Sequence, residues 1–193
     1  MYKRIVITGL LLAALILFMG TTMTAQENQP AAAGQPQEQA SAAKPIPTRN
    51  MVHIAVIVKD IEKASKAWAD MFGMEVPKWS LNDPPEKSKI QYRGKTTEAR
   101  LKTAFLKFDN LRVELMEPVG GPSTWMDFLK SKGEGVHHIA FDVKGIDGEI
   151  ANMEKMGYPL IQRGEWTVYT GGCYTYFETE PQLGVIVELL ENY

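Results

Sequence analysis

Among the residues of types that hold a divalent cation, four fall into two repeat-related pairs, His53 with Glu114 and His138 with Glu188. The stretch His53-Ile-Ala-Val-Ile-Val-Lys-Asp-Ile returns as His138-Ile-Ala-Phe-Asp-Val-Lys-Gly-Ile, with six of nine positions identical. Arg112-Val-Glu-Leu-Met-Glu-Pro returns as Ile186-Val-Glu-Leu-Leu-Glu-Asn. A carboxylate in mid-strand is costly to bury without a partner. Two carboxylates and two imidazoles in equivalent places can offset that cost by sharing one divalent ion, with which they form a neutral site. An N₂O₂ donor set suits Zn²⁺, Ni²⁺, Co²⁺, Mn²⁺ or Fe²⁺. Four protein ligands on an octahedral ion leave two positions open, enough to chelate a substrate through two neighbouring oxygens.

The elements that must position these residues follow from strand alternation, which sends successive side chains to opposite faces. Ile54, Val56 and Val58 share one face of a strand over 51–58, and His53 lies on the other with Ala55. Ile139, Phe141 and Val143 oppose His138 in the same way, while Val113 and Leu115 flank Glu114, and Val187 and Leu189 flank Glu188. Each strand thus offers one aliphatic face for a helix and one face carrying an ionisable group. By parity His137 belongs to the aliphatic face; it has no counterpart in the first repeat and is read as a non-ligand. In the first half, Asp60 is an N-cap for a helix over 61–72, stopped by Gly73, and strands are expected over 74–79, 101–108 and 111–117. In the second half a helix is expected over 146–156, ended by Gly157, with strands over 136–143, 158–163, 174–178 and 184–190. A short helix is expected over 124–131. The polar, proline-containing stretch 81–98 reads as a loop that absorbs the extra length of the first half.

The remaining composition narrows the function class. The net charge is −2 with no basic stripe, which excludes a nucleic-acid surface. One cysteine, Cys173, excludes an internal disulfide. Residues 1–25 open with MYKR and continue into an apolar run of about 15 residues, the pattern of a signal peptide or, uncleaved, an N-terminal anchor. Both readings place the protein across a membrane, periplasmic or anchored facing the periplasm. Residues 26–50, rich in Gln, Ala and Pro, read as a disordered linker. The folded domain is expected over 51–193. Trp79, Tyr92, Trp166, Tyr169 and Tyr176 are candidates to line a cup, and Arg93, Arg100 and Lys102 are candidate counter-charges for an anionic ligand.

At H-I-A-V…D-I-E-K-A…W…F-G, V-E-L-M-E-P, G-V-H-H-I-A-F-D-V and G-V-I-V-E-L-L-E the sequence resembles the vicinal oxygen chelate superfamily, the glyoxalase / bleomycin-resistance / dioxygenase group. The resemblance implies an α+β fold of two βαβββ modules, an eight-stranded mixed sheet cupped around the site with helices on its outer face. It implies one divalent metal ion held by His53, Glu114, His138 and Glu188, and a small-molecule substrate chelated through vicinal oxygens. It assigns proton transfer first to Glu188 and second to Glu114, in lyase or isomerase chemistry, and it implies a homodimer. Alternatives are a sequestering protein of the same fold and an Fe²⁺ dioxygenase using His53, His138 and Glu188. Departures from individual members stand out. The place of a glutathione-binding arginine is Ile57, that of an asparagine after the second ligand is Pro118, and the place of an epimerase's additional catalytic glutamate falls near Thr103.

Overall fold

The repeat folds as two βαβββ modules laid side by side. The computed structural model describes residues 42–168 and 171–193, so the expected signal segment and most of the expected linker lie outside the described residues. In chain order the elements are β1 (Met51–Ile57), α1 (Ile61–Phe72), β2 (Ser80–Leu81), α2 (Pro85–Ser88), β3 (Gln91–Tyr92), β4 (Lys95–Thr96), β5 (Arg100–Lys107) and β6 (Arg112–Val119). They continue with α3 (Thr124–Lys132), β7 (Gly135–Asp142), α4 (Ile146–Lys155), β8 (Leu160–Trp166), β9 (Gly172–Phe177), α5 (Glu180–Leu183) and β10 (Ile186–Asn192). All ten strands join one curled mixed sheet in the order β2-β5-β6-β1-β7-β10-β9-β8-β3-β4. The first module contributes β2-β5-β6-β1 and the second β7-β10-β9-β8, mirrored about the antiparallel β1–β7 pair.

The aliphatic strand faces bury against helices as their alternation requires. Ile61, Ala64 and Trp68 of α1 pack on Val56, Ala104, Leu106, Val113 and Leu115. Ile146, Ile150 and Met153 of α4 pack on Ile139, Phe141, Cys173, Phe177, Val187 and Leu189. Removing side chains such as Ile61 and Leu115 fully from water contributes about 1.5–3 kcal/mol each. Asp60 caps α1 by accepting from the Lys63 amide, and Gly73 ends it in the left-handed conformation at φ 64°.

The second glutamate of each repeated V-E-L motif has a structural role of its own. Glu117, on the face opposite Glu114, accepts from the Ile61 amide at 2.9 Å. Glu191, its repeat equivalent, accepts from the Gly145 and Ile146 amides at 2.9 and 3.0 Å. Each last strand therefore caps the helix of its own module, where a carboxylate meets the positive end of the helix dipole.

Three expectations need correction. No strand forms over 74–79; only Ser80–Leu81 pairs with β5, because Pro77 interrupts a ladder at what is already the sheet edge. The stretch 81–98 is not simply a loop. It carries α2 and the β3–β4 hairpin, and Gln91 and Tyr92 pair with Arg163 and Gln162 on β8, the edge strand of the other module. An edge strand offers unpaired backbone groups, and the insertion satisfies them, giving ten strands rather than eight. Finally, the chain upstream of Met51 is not wholly detached. Lys44 exchanges two 2.8 Å hydrogen bonds with Asn152 of α4, and Ile46 packs on the second module's core.

Candidate metal centre

The four singled-out residues come from four adjacent strands of the sheet, β6, β1, β7 and β10. Adjacent strands lie about 4.8 Å apart, so the outer two of a flat four-strand set would stand roughly 14 Å apart. The curl closes that gap for side chains on the concave face. Their register runs in two rows. Glu114, Ala55 and His138 face one another across β6, β1 and β7, and His53, Ala140 and Glu188 do so across β1, β7 and β10. In each row a fully buried alanine separates the ligand-type residues, and its small side chain leaves the space above it to them.

The donor atoms converge. His53 Nε2 lies 3.1 Å from His138 Nε2, 3.2 Å from Glu114 Oε2 and 3.0 Å from Glu188 Oε2. His138 Nε2 lies 3.2 Å from Glu188 Oε2 and 4.0 Å from Glu114 Oε2. Donor atoms of His53, His138 and Glu188 all fall within 4.8 Å of one another, with Glu114 on the outer side of His53. All four residues are buried. A neutral His53 carries at most one hydrogen on Nε2, yet three partners crowd that atom. One hydrogen cannot serve all three, whereas a cation can. Two bonds of about 2.1 Å at right angles would set their donor atoms about 3.0 Å apart, close to the spacings found. Glu188 Oε2 and His53 Nδ1 are also buried without a well-formed hydrogen bond among the described residues. The donor set and its spacing thus fit a divalent ion.

The electrostatics agree with a site built for positive charge. Burial opposes a charge on His53, but hydrogen bonds and attraction from Glu114 and Glu188 outweigh it and raise the imidazole to about 10. Glu188 is completely enclosed, which favours its neutral form; the adjoining His138 and His53 overcome this and hold the carboxyl well below its ordinary range.

The surroundings were only partly legible. Tyr176, directly across from Glu188, lines the site with its ring 4.8 Å from that of His138 and accepts a hydrogen bond from Trp125 of α3. Trp125, Phe128 and Leu129 close one end of the concave face together with Ile90, Leu101 and Met116. Trp79 instead sits outside, donating to Glu62, and Tyr92 bonds Asp127 at the rim. Trp166 packs against Gly172 of β9, where an added Cβ would come within 2.2 Å of its ring. Tyr169 lies outside the described residues. The three anticipated cations are engaged elsewhere: Arg100 with Asn82, Lys102 with Glu117, and Arg93 with Tyr92. The cation that sequence reasoning missed is Arg112, next to His53 in register, its guanidinium 5.3 Å from the half-exposed Phe105 ring. Lys107 stands directly opposite it, and neither has an ion-pair partner among the described residues. Strand parity counted from Glu114 would have shown Arg112; the face of Lys107 follows only from the β5–β6 register.

His137 overturns its parity reading. The β1–β7 register jumps from Ala55↔His138 to Val56↔Val136, a bulge with His137 as the extra residue. The bulge turns His137 inward beside His138, with the two Nδ1 atoms 2.9 Å apart. Thr103 also faces the concave side, across from Met116, so the sheet offers no carboxylate at that place.

Comparisons with known proteins agree with this architecture. The family model described as "Glyoxalase/Bleomycin resistance protein/Dioxygenase superfamily" matches residues 52–177. The mitochondrial methylmalonyl-CoA epimerase of Mus musculus is 29% identical over 122 residues, 62% of this chain and 61% of that protein. The match therefore spans less than two thirds of the mouse enzyme. The ethylmalonyl-CoA/methylmalonyl-CoA epimerase of Cereibacter sphaeroides is 28% identical over 114 residues, covering 58% of this chain and 75% of its own. The crystal structure of methylmalonyl-CoA epimerase from Mycobacterium tuberculosis superposes with a TM-score of 0.52 at 18% identity, over 75% of this chain and 88% of that one. With two βαβββ modules, a cupped mixed sheet and a family match over most of the folded region, the chain belongs to the Glyoxalase/Bleomycin resistance protein/Dioxygenase superfamily.

Proposed function

We propose that the protein is a divalent-metal-dependent isomerase that moves a proton on the carbon next to a carbonyl group of a small, anionic acyl substrate. The observation that carries this reading is the convergence of His53, His138 and Glu188 on one buried point, with Glu114 alongside. His53, His138, Glu188 and Glu114 would hold the ion. When bound, it supplies Lewis-acid stabilisation of negative charge on the carbonyl oxygen. The two carboxylates reach the site from β10 and β6, on opposite sides of the β1–β7 pair. One can take a proton from one face of the substrate carbon while the other returns it to the opposite face. Glu188, whose carboxylate reaches both histidines, is the first candidate for the acceptor. Glu114, farther from His138, is the second. Arg112 and Lys107 give the open side of the concave face a positive charge suited to an anionic group on the substrate.

One support for this reading lies outside the site. The epimerase relatives act, by their names, on methylmalonyl-CoA, an acyl thioester with an acidic proton beside its carbonyl. We further propose that residues 1–25 direct the domain out of the cytoplasm. Coenzyme A thioesters are scarce there, so the natural substrate is expected to be a related compound that does not carry coenzyme A.

The test is hydrogen exchange. Co²⁺-loaded protein is incubated in D₂O with short 2-substituted acyl thioesters, methylmalonyl-CoA among them, and the signal of the 2-proton is followed by NMR. The reading expects exchange that requires the metal and is lost in Glu188→Gln. Loaded protein that exchanges none of them would refute it.

A further inference from the structure

We propose that His137 is a positioning residue for the site, fixing the tautomer and ring orientation of His138. The inference rests on the reading of His138 as a metal ligand. His138 is completely buried and has two ring nitrogens in different company. Its Nε2 faces Glu188 at 3.2 Å and His53 at 3.1 Å. Its Nδ1 faces His137 Nδ1 at 2.9 Å. Only one hydrogen fits between two nitrogens at that distance.

Two arrangements are therefore available to the pair. In the first, His138 carries its hydrogen on Nδ1 and donates it to His137, leaving a lone pair on Nε2 aimed into the site. His137 then holds its own hydrogen on Nε2. In the second, His137 donates from Nδ1, His138 accepts, and the His138 hydrogen sits on Nε2, where it blocks the site. An imidazole can ligate only through a lone pair, and liganding histidines nearly always donate their other N–H to an acceptor. The first arrangement is the one a bound ion selects, and His137 is the acceptor it needs.

The fold holds His137 to this task. His137 is 1% exposed, and its ring meets Phe128 of α3 and Tyr176 of β9 edge-on, with centroids 5.4 and 5.5 Å away. These rings leave it little room to turn, so the Nδ1–Nδ1 contact persists. Without the bulge at His137, alternation would place this side chain on the opposite face of the strand, with Ile139 and Phe141, and turned away from the ring of His138. The bulged residue thus acquires a place that the regular strand could not give it.

The two modules differ in this respect. His53 has no equivalent partner; its Nδ1 is buried without a hydrogen bond among the described residues, and the residue before it is Val52. His138 is the histidine whose orientation is supported from behind.

The test compares the wild-type protein with His137→Phe, which keeps a ring between Phe128 and Tyr176, and His137→Asn, which restores a polar atom near Nδ1. Zn²⁺ affinity is measured by competition with a chelator of known affinity. Long-range ¹H–¹⁵N NMR on the Zn²⁺-loaded wild type reads the tautomer of His138. The proposal expects a hydrogen on His138 Nδ1, a loss of roughly 10–100-fold in affinity for His137→Phe, and substantial recovery in His137→Asn. Wild-type affinity in His137→Phe, or a hydrogen on His138 Nε2 in the loaded protein, would overturn it. If the wild type itself binds no Zn²⁺, it is the metal reading of the site that fails. The same NMR experiment on metal-free protein then reports whether the two histidines share a hydrogen, and its absence overturns the His137–His138 link independently.

Discussion

Adding a divalent ion to the metal-free protein should expel a proton, and His53 sets the size of the effect. Glu114 and Glu188 raise this imidazole from 6.5 to about 10, against the opposing effect of burial, so the metal-free site holds His53 as a cation at neutral pH. A ligand nitrogen must be neutral, and metal binding then competes with that proton. Between about pH 7 and 9 each ion bound should release close to one proton from His53, and affinity should rise about tenfold per pH unit, levelling off above about pH 10. The same shift bears on stability. A group whose folded value is raised stabilises the fold fully below its unfolded value of 6.5 and loses that contribution as pH climbs through about 10. At about 1.4 kcal/mol per unit the loss in metal-free protein amounts to at most about 5 kcal/mol across that window. Glu188, shifted the other way, contributes stability above the ordinary carboxylate range that is lost as pH falls. The assay is calorimetric titration of Zn²⁺ at one pH in two buffers of different ionisation enthalpy, repeated at pH 7, 8 and 9. Affinity independent of pH, with no proton passed to the buffer, would refute the electrostatic account of the site.

Other perturbations separate the contributions of individual residues. Glu188→Gln should weaken metal binding more than Glu114→Gln, because Glu188 closes on both histidines whereas Glu114 stands 4.0 Å from His138; the comparison is read by chelator competition. Ala140→Leu places three extra carbons between His53 and Glu188, and should cost about 1–3 kcal/mol in denaturant unfolding while abolishing metal uptake. Asp60→Ala removes the N-cap of α1 and should cost about 1 kcal/mol, with metal affinity unchanged.

The site was legible in the sequence because it is built twice. Repeated V-E-L and H-I-A motifs fixed strand parity, and parity alone placed His53, Glu114, His138 and Glu188 on one face. The helix over 61–72 followed from apolar spacing with Asp60 and Gly73, and the one over 146–156 from the repeated order of elements and Gly157; the structure ends the second at Lys155. Three features resisted this reasoning because they depend on contacts between distant parts of the chain. The pairing of Gln91 and Tyr92 with β8 joins the two modules, and nothing local to residues 81–98 encodes it. The bulge at His137 shows only in the register between β1 and β7, so period-2 alternation assigned that side chain to the wrong face. The roles of Glu117 and Glu191 as helix caps depend on strand ends meeting helix starts some 50 residues away, although their repeat was visible. Aromatic residues were the least predictable, since Tyr176 entered the site whereas Trp79 turned outward to Glu62.

The most direct test of the central claim is elemental analysis by mass spectrometry of the purified protein beside His53→Ala and Glu188→Ala, each after exposure to a mixture of Zn²⁺, Ni²⁺, Co²⁺, Mn²⁺ and Fe²⁺ followed by desalting. The account predicts about one ion per wild-type chain and none in either variant. Wild-type protein that retains no ion, or variants that retain as much as the wild type, would contradict it.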